Sequence, residues 1–197
     1  MSKNRGRPRK FNSDEALANA LMVFWTNGFA GTSLDQLAEA MQMKRPSIYN
    51  AFGDKQALYR AALSAFRERL DRGIQALARE KSLEKGLQRF FTEALDVYTS
   101  GGQPLGCLIF CTAPAEAIAH PELGMDVLAA SNATDKALKR IFDDAQKTGQ
   151  LGDHIDTLIA AQLTQATLHS LALRARAGQS RAALGKMATG AVAMICR

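Results

Sequence analysis

No apolar run in this 197-residue sequence approaches the roughly 20 residues needed to cross a bilayer, so no membrane-spanning helix is expected. The basic N-terminus, MSKNRGRPRK, leads into no apolar h-region, which argues against a secretory signal and for a cytoplasmic protein. Cysteine is scarce. Cys107, Cys111 and Cys196 form no CxxC pair and are odd in number, so a disulfide scaffold is not expected. Strand-like alternation, internal repeats and long linkers are all missing. So are the Gly-x-Ser-x-Gly of a nucleophile elbow and the Glu-x-x-His pairs of a di-metal helical bundle. Glu116 and His120 stand four apart, as metal ligands can, but a pair is too few, and His154 and His169 lie in other segments. The chain reads as no enzyme, with no metal and no cofactor.

Acid is absent from the first ten residues, which hold Lys3, Arg5, Arg7, Arg9 and Lys10. Of 25 basic and 19 acidic side chains, the remainder of the chain carries 20 against 19, so nearly all of the net +6 sits in this arm. A basic arm suits a polyanion such as nucleic acid. Gly6-Arg7-Pro8-Arg9 is a flexible, extended cation string able to enter a narrow, electronegative minor groove.

What the sequence does have is helical periodicity almost throughout. Leu17, Leu21, Phe24 and Trp25 form one stripe of a first helix near 13–27, capped by Asn12 or Ser13 and closed by Gly28. Ser33 with Gln36 three later fits a capping box for a short helix over about 33–40, and Leu34, Leu37, Ala38 and Met41 line one face. Pro46 suits the first turn of a third helix, 45–52, on which Ile48, Ala51 and Phe52 share one side. Gly53 ends it, and Asp54 caps a fourth helix running to about 79. Ser82 opens a further helix broken by Gly101-Gly102. Pro114 kinks the apolar segment 105–119, and Pro121 opens a helix to about 147, closed by Gly149. Asp153 caps a helix to about 177, and Ser180 caps the last.

The expected fold is all-α: an N-terminal three-helix DNA-binding unit with a helix-turn-helix, joined to a larger C-terminal helical bundle. The expected divisions are a basic arm (1–10), the helix-turn-helix domain (11–55), and a ligand-binding and dimerisation domain (56–197). A short helix after a tight link from a capped short helix has the geometry in which the second helix enters the major groove. Arg45 suits a guanine edge and Asn50 an adenine edge. Thr32, Ser47, Tyr49 and Lys55 suit phosphates, which fix register.

Residues 11–59 resemble the N-terminal domain of the TetR family of transcriptional regulators, in its AcrR-like branch. The matching run is Ala20-Leu21, Phe24, Gly28-Phe29, Thr32-Ser33-Leu34, Leu37-Ala38, Ser47-Ile48-Tyr49-Asn50-Ala51-Phe52, Lys55 and Leu58-Tyr59. The resemblance implies a helical homodimer, usually a repressor, released from double-stranded DNA by a small-molecule effector. It also implies DNA-facing roles for Thr32, Ser33, Lys44, Arg45, Ser47, Tyr49, Asn50 and Lys55, beside Arg5, Arg7 and Arg9 of the arm. Two positions depart from the family pattern. Met41-Gln42 stands where a small residue and Gly are usual, and Lys44 stands where Ser or Thr caps the helix.

Beyond residue 60 composition leads. Phe90, Phe91, Tyr98, Phe110 and Met125, with Cys107 and Cys111, are the candidates for an apolar effector cavity. Cys107, near a helix start, raises an alternative: a thiol sensor of oxidants or electrophiles, its pKa lowered by the helix. A helical adaptor that binds only proteins is a weaker alternative, because it leaves the arm and the Tyr49/Lys55 pattern unused. The helices within 153–196 are apolar on more than one side, which predicts a four-helix homodimer interface.

Overall fold

The structure, a computed structural model, describes residues 12–100 and 103–197. Arg5, Arg7, Arg9 and the Gly101-Gly102 break lie outside the described residues. Every regular element among the described residues is helical. Helix α1 (Ser13–Asn27) starts where the Asn12 side chain accepts the N–H groups of Asp14 and Glu15. Helix α2 (Leu34–Ala40) carries the full reciprocal capping box between Ser33 and Gln36. Helix α3 (Arg45–Phe52) follows a link in which Gln42 takes φ 53°, the left-handed conformation that a glycine would adopt without strain. Helix α4 (Lys55–Arg79) is capped by Asp54.

These four helices share one small core. Ala20, Phe24, Leu37, Ile48, Leu58 and Tyr59 are all closed to solvent. The rings of Phe24 and Tyr59 meet edge-on at 4.9 Å, as do those of Trp25 and Phe66. Each fully buried large apolar side chain contributes about 2–3 kcal/mol. The expected α3 face is corrected at one position: Ile48 is buried but Ala51 is exposed, because α3 meets its neighbours along a single narrow line.

The rest of the chain packs along the length of α4. Helix α5 (Leu83–Thr99), the short α6 (Leu108–Thr112), a 3-10 turn (Pro114–Glu116), α7 (Pro121–Lys147), α8 (Thr157–Arg176) and α9 (Arg181–Ile195) follow in order. Pro114 divides the apolar segment 105–119, as expected. The start of α8 is corrected. Asp156, not Asp153, caps it, accepting the N–H groups of Leu158 and Ile159.

Helices α8 and α9 pack against each other and each leaves an apolar seam outside. Ile159, Leu163, Ala166 and Leu173 fall on one line of α8, at spacings of three, four and seven, and all are exposed. On α9 the line is Ala183, Met187, Gly190 and Met194: Ala183 and Met187 are half-buried, Met187 against the core, and Gly190 and Met194 are exposed, Met194 at 78%. A three-four spacing turned away from its own core is the pattern of a helix seam awaiting another helix.

Gly106 is a tight joint between segments far apart in the chain. It has φ 68°, and a Cβ there would lie 2.4 Å from the Ala172 carbonyl of α8 and 3.0 Å from Cys111 Sγ. Its N–H donates to Tyr98 O and its carbonyl accepts from Trp25 Nε1, both at 3.1 Å. Gly106→Ala therefore collides with backbone and is strained at once. It should lower stability by about 1–3 kcal/mol, read from urea or thermal unfolding; an unchanged unfolding midpoint would contradict this packing.

Candidate nucleic-acid interface and C-terminal cavity

Helix α3 buries Ile48 and half-buries Phe52; its other residues are exposed. The backbone supplies its first turn without a capping side chain, since the N–H groups of Ser47 and Ile48 donate to the Lys44 carbonyl. Lys44, Ser47, Tyr49 and Asn50 are exposed, and their side chains make no hydrogen bond to the described residues. Ser47 and Asn50 also line an open groove between α3 and the first turns of α1. A row of hydrogen-bonding side chains unused by folding is available to an outside partner.

Four candidates are engaged within the protein: Arg45, Thr32, Ser33 and Lys55. The Arg45 guanidinium holds Asp35 of α2, with Nε donating to Oδ1 at 2.8 Å, and both side chains remain open to solvent. The Arg45 hydrogen bond and charge lower the Asp35 carboxyl from its ordinary value. Thr32 is corrected as a phosphate contact: it is buried, and its hydroxyl donates to Gly28 O at 2.6 Å, closing the turn after α1. Ser33 is exposed, but its Oγ accepts the Gln36 N–H as the α2 cap. Lys55 is half-buried with Nζ 4.4 Å from the centre of the Phe29 ring, and burial lowers its pKa while Glu116 pulls it back up. Glu116 and His120 are likewise used in packing. Glu116 accepts the Ala30 N–H at 3.2 Å, and the His120 ring meets Phe29 edge-on at 4.9 Å.

Behind this head, helices α4, α5, α6, α7 and α8 enclose a cavity of about 400 Å³. Of the expected lining residues, Phe90, Tyr98, Cys107 and Phe110 border it. Phe91, Cys111 and Met125 do not and are corrected. Phe91 points into the closed core and Met125 is 65% exposed on α7, the two lying on helix faces that composition alone does not distinguish. Cys111 turns toward Gly106. The sequence reading missed Phe66, Leu70, Leu168 and His169 on α4 and α8, which also border the cavity. A signal was present on α4, where Phe66, Leu70 and Gly73 fall at i, i+4 and i+7 on one face.

The cavity wall is electrically quiet. Burial pushes the Cys107 thiol up to about 12, overriding the backbone N–H groups of Phe110 and Ile109, which pull it down. The expected lowering of that thiol is therefore corrected, because α6 has five residues and its start is sealed from water. Burial likewise raises Tyr98 and lowers His169. Tyr59, which bonds Thr112 of α6 at 2.6 Å, is pushed by burial to about 12.

Cys107, Tyr98 and Tyr59 are all neutral acids in the fold with raised pKa values, so the folded state keeps its protons longer than the unfolded chain. Their contribution to stability is complete below about pH 9 and falls as pH rises toward 12. Chemical unfolding at pH 7.5, 9 and 10.5 should show that decline, with no gain on the alkaline side. At pH 7.5 iodoacetamide should alkylate Cys107 far more slowly than free cysteine, and rapidly only in denaturant; fast labelling of the folded chain would restore the reactive-thiol reading.

Comparison with known proteins bears on both regions. Residues 16–62 match the sequence model for bacterial regulatory proteins of the tetR family. The HTH-type transcriptional repressor ComR of Escherichia coli (strain K12) is 28% identical over 182 residues, 91% of this chain and 87% of that protein. A cysteine mutant of the TetR family transcriptional regulator CifR, solved with 26-bp double-strand operator DNA, superposes with a TM-score of 0.82 at 29% identity, over 95% of this chain and 98% of that one. A TetR transcriptional regulator from Chloroflexus aurantiacus J-10-FL shares the fold at a TM-score of 0.80 and 23% identity, over 92% of each chain.

Proposed function

We propose that this chain is a transcriptional regulator of the TetR family, a repressor whose homodimer holds a near-palindromic operator and lets go when a small molecule fills the cavity. The observation that carries this reading is the row of exposed, unpartnered Ser47, Tyr49 and Asn50 side chains on α3, a helix whose sequel, α4, borders the cavity through Phe66, Leu70 and Gly73. The run from Ala20 to Tyr59 supports the AcrR-like branch within the family. The apolar seams of α8 and α9 fit two copies joined as a four-helix bundle through residues 153–196. Twofold symmetry then offers one α3 to each of two successive major grooves, roughly 34–36 Å apart.

Release is a population shift. A ligand moves the balance only by binding one dimer geometry better than the other. The thiol-sensing alternative gains nothing from the site, since Cys107 is buried and protonated at neutral pH.

A gel shift with the DNA upstream of the chain's own gene, run at two salt concentrations, tests the reading. Affinity should fall steeply with salt, because phosphate neutralisation releases counterions; no binding, or binding indifferent to salt, returns the protein to the adaptor class. Arg45→Ala should relax preference at one base pair by about tenfold, whereas Tyr49→Phe should weaken all sequences alike. If Arg45→Ala weakened every sequence equally, Arg45 would be a phosphate contact. Leu163→Glu should give monomers in analytical ultracentrifugation and weaken operator binding on the order of 100-fold, since the two reading heads lose their shared tether. A persisting dimer would place the interface elsewhere.

A further inference from the structure

The cavity borders tell what kind of molecule fits. Its wall is built from Phe66, Leu70, Phe90, Val97, Ile109 and Phe110, with Leu168 opposite. The charged residues at its edge keep their heads at the solvent side. Glu93 accepts from Arg89 Nε at 2.7 Å, Arg72 lies 3.9 Å from Glu68, and the exposed Arg69 guanidinium sits 5.8 Å from the ring centres of Trp25 and Phe66. No charged group reaches inward to pair with a buried ligand charge, and an unpaired charge in such a site is costly.

Two polar groups of the wall lack partners. His169 Nε2 is sealed off, with its ring 3.7 Å from that of Phe110. Tyr98 is different. It is 7% exposed, borders the cavity, and its hydroxyl has no hydrogen-bond partner among the described residues. Unlike His169 Nε2, the Tyr98 hydroxyl is not a sealed orphan; it is an unspent donor that an acceptor in the cavity can use. The backbone carbonyl of Tyr98 accepts the Gly106 N–H, and the Gly106 carbonyl accepts the Trp25 indole. A ligand held at Tyr98 thus sits beside the joint that fixes α1.

We propose that the cavity takes an uncharged, largely apolar molecule of about 10–15 non-hydrogen atoms whose one polar group is a hydrogen-bond acceptor held by the Tyr98 hydroxyl, the size following from the cavity volume at ordinary packing density. This rests on the reading of the cavity as an effector site, and it names the class of effector.

Three probes of similar skeleton separate the alternatives: butylbenzene, 4-phenyl-2-butanone and 4-phenylbutyrate. Calorimetry on the full chain without DNA measures each, alongside Tyr98→Phe, which keeps the ring and removes the donor. The ketone should bind about fivefold tighter than the hydrocarbon and about tenfold tighter than the carboxylate. Tyr98→Phe should erase the ketone's advantage and leave butylbenzene unchanged. The inference is overturned if the carboxylate binds tightest, if the ketone keeps its advantage in Tyr98→Phe, or if none of the three binds up to its solubility limit. Because no DNA is present, the operator reading fails separately: ketone binding as described by a chain that ignores its upstream DNA would overturn that reading alone.

Discussion

The last turn of α1 is held from the C-terminal half of the chain, and the placement of the reading helix depends on that hold. Arg176, at the end of α8, donates from Nη1 to Trp25 O and Leu105 O, both at 2.9 Å, and from Nη2 to Thr26 O at 3.2 Å. Two of these acceptors are carbonyls that α1 leaves open at its end, where a cation is also favoured by the helix dipole. The Trp25 indole donates back to Gly106. One guanidinium and one indole therefore fix α1 to α8 and to the segment that leads into α6, each bond ending on a backbone carbonyl. The α3 helix packs on the same small core as α1, so its direction in space is inherited from this joint.

Helix α4 makes the second connection. At 25 residues it spans about 37 Å. Its first two turns bind α7: Gln56 to Glu122, and Arg60 to Asp126 at 2.6 and 2.9 Å. Its middle supplies the cavity wall, and Arg67 donates to the Ala130 carbonyl at 2.6 Å. Two routes connect the cavity wall to α3, one along the stiff rod of α4 and one through the Gly106 joint. At the ends of both routes hydrogen bonds and ion pairs stand beside deep apolar packing, with Leu58 and Tyr59 buried at the start of α4 and Trp25 buried against Phe66.

Local signals were legible in the sequence. Capping chemistry at Ser33, Asp54, Ser82 and Ser180, and proline at 46, 114 and 121, marked the helices within a residue or two, because each acts over one turn. The exposed face of α3 was readable for the same reason. What sequence reasoning misassigned depends on contacts far apart in the chain. Thr32 looks like any exposed turn threonine until the Gly28 carbonyl is seen folded beneath it. Cys107 looks like a helix-start thiol until α4, α5 and α8 are packed over it. Phe90 and Phe91 are adjacent, yet one borders the cavity and the other closes the core, a difference of about 100° around α5 that only the packing of its neighbours resolves.

The two departures from the family pattern acquire a physical meaning in this setting. Gln42 occupies a left-handed conformation without glycine's freedom, and Lys44 starts α3 without a capping hydroxyl. Both weaken α3 as an independent element, and eight residues with one buried side chain would not hold a helix in water. Its shape is sustained by Ile48, which is enclosed with Leu37 and Leu58 in the common core. Apart from the Arg45 pair with Asp35 and the half-buried Phe52, the side chains of α3 beyond Ile48 stand exposed. A sturdier helix would need to bury more of itself, and each residue so buried would be one fewer to present to a DNA groove.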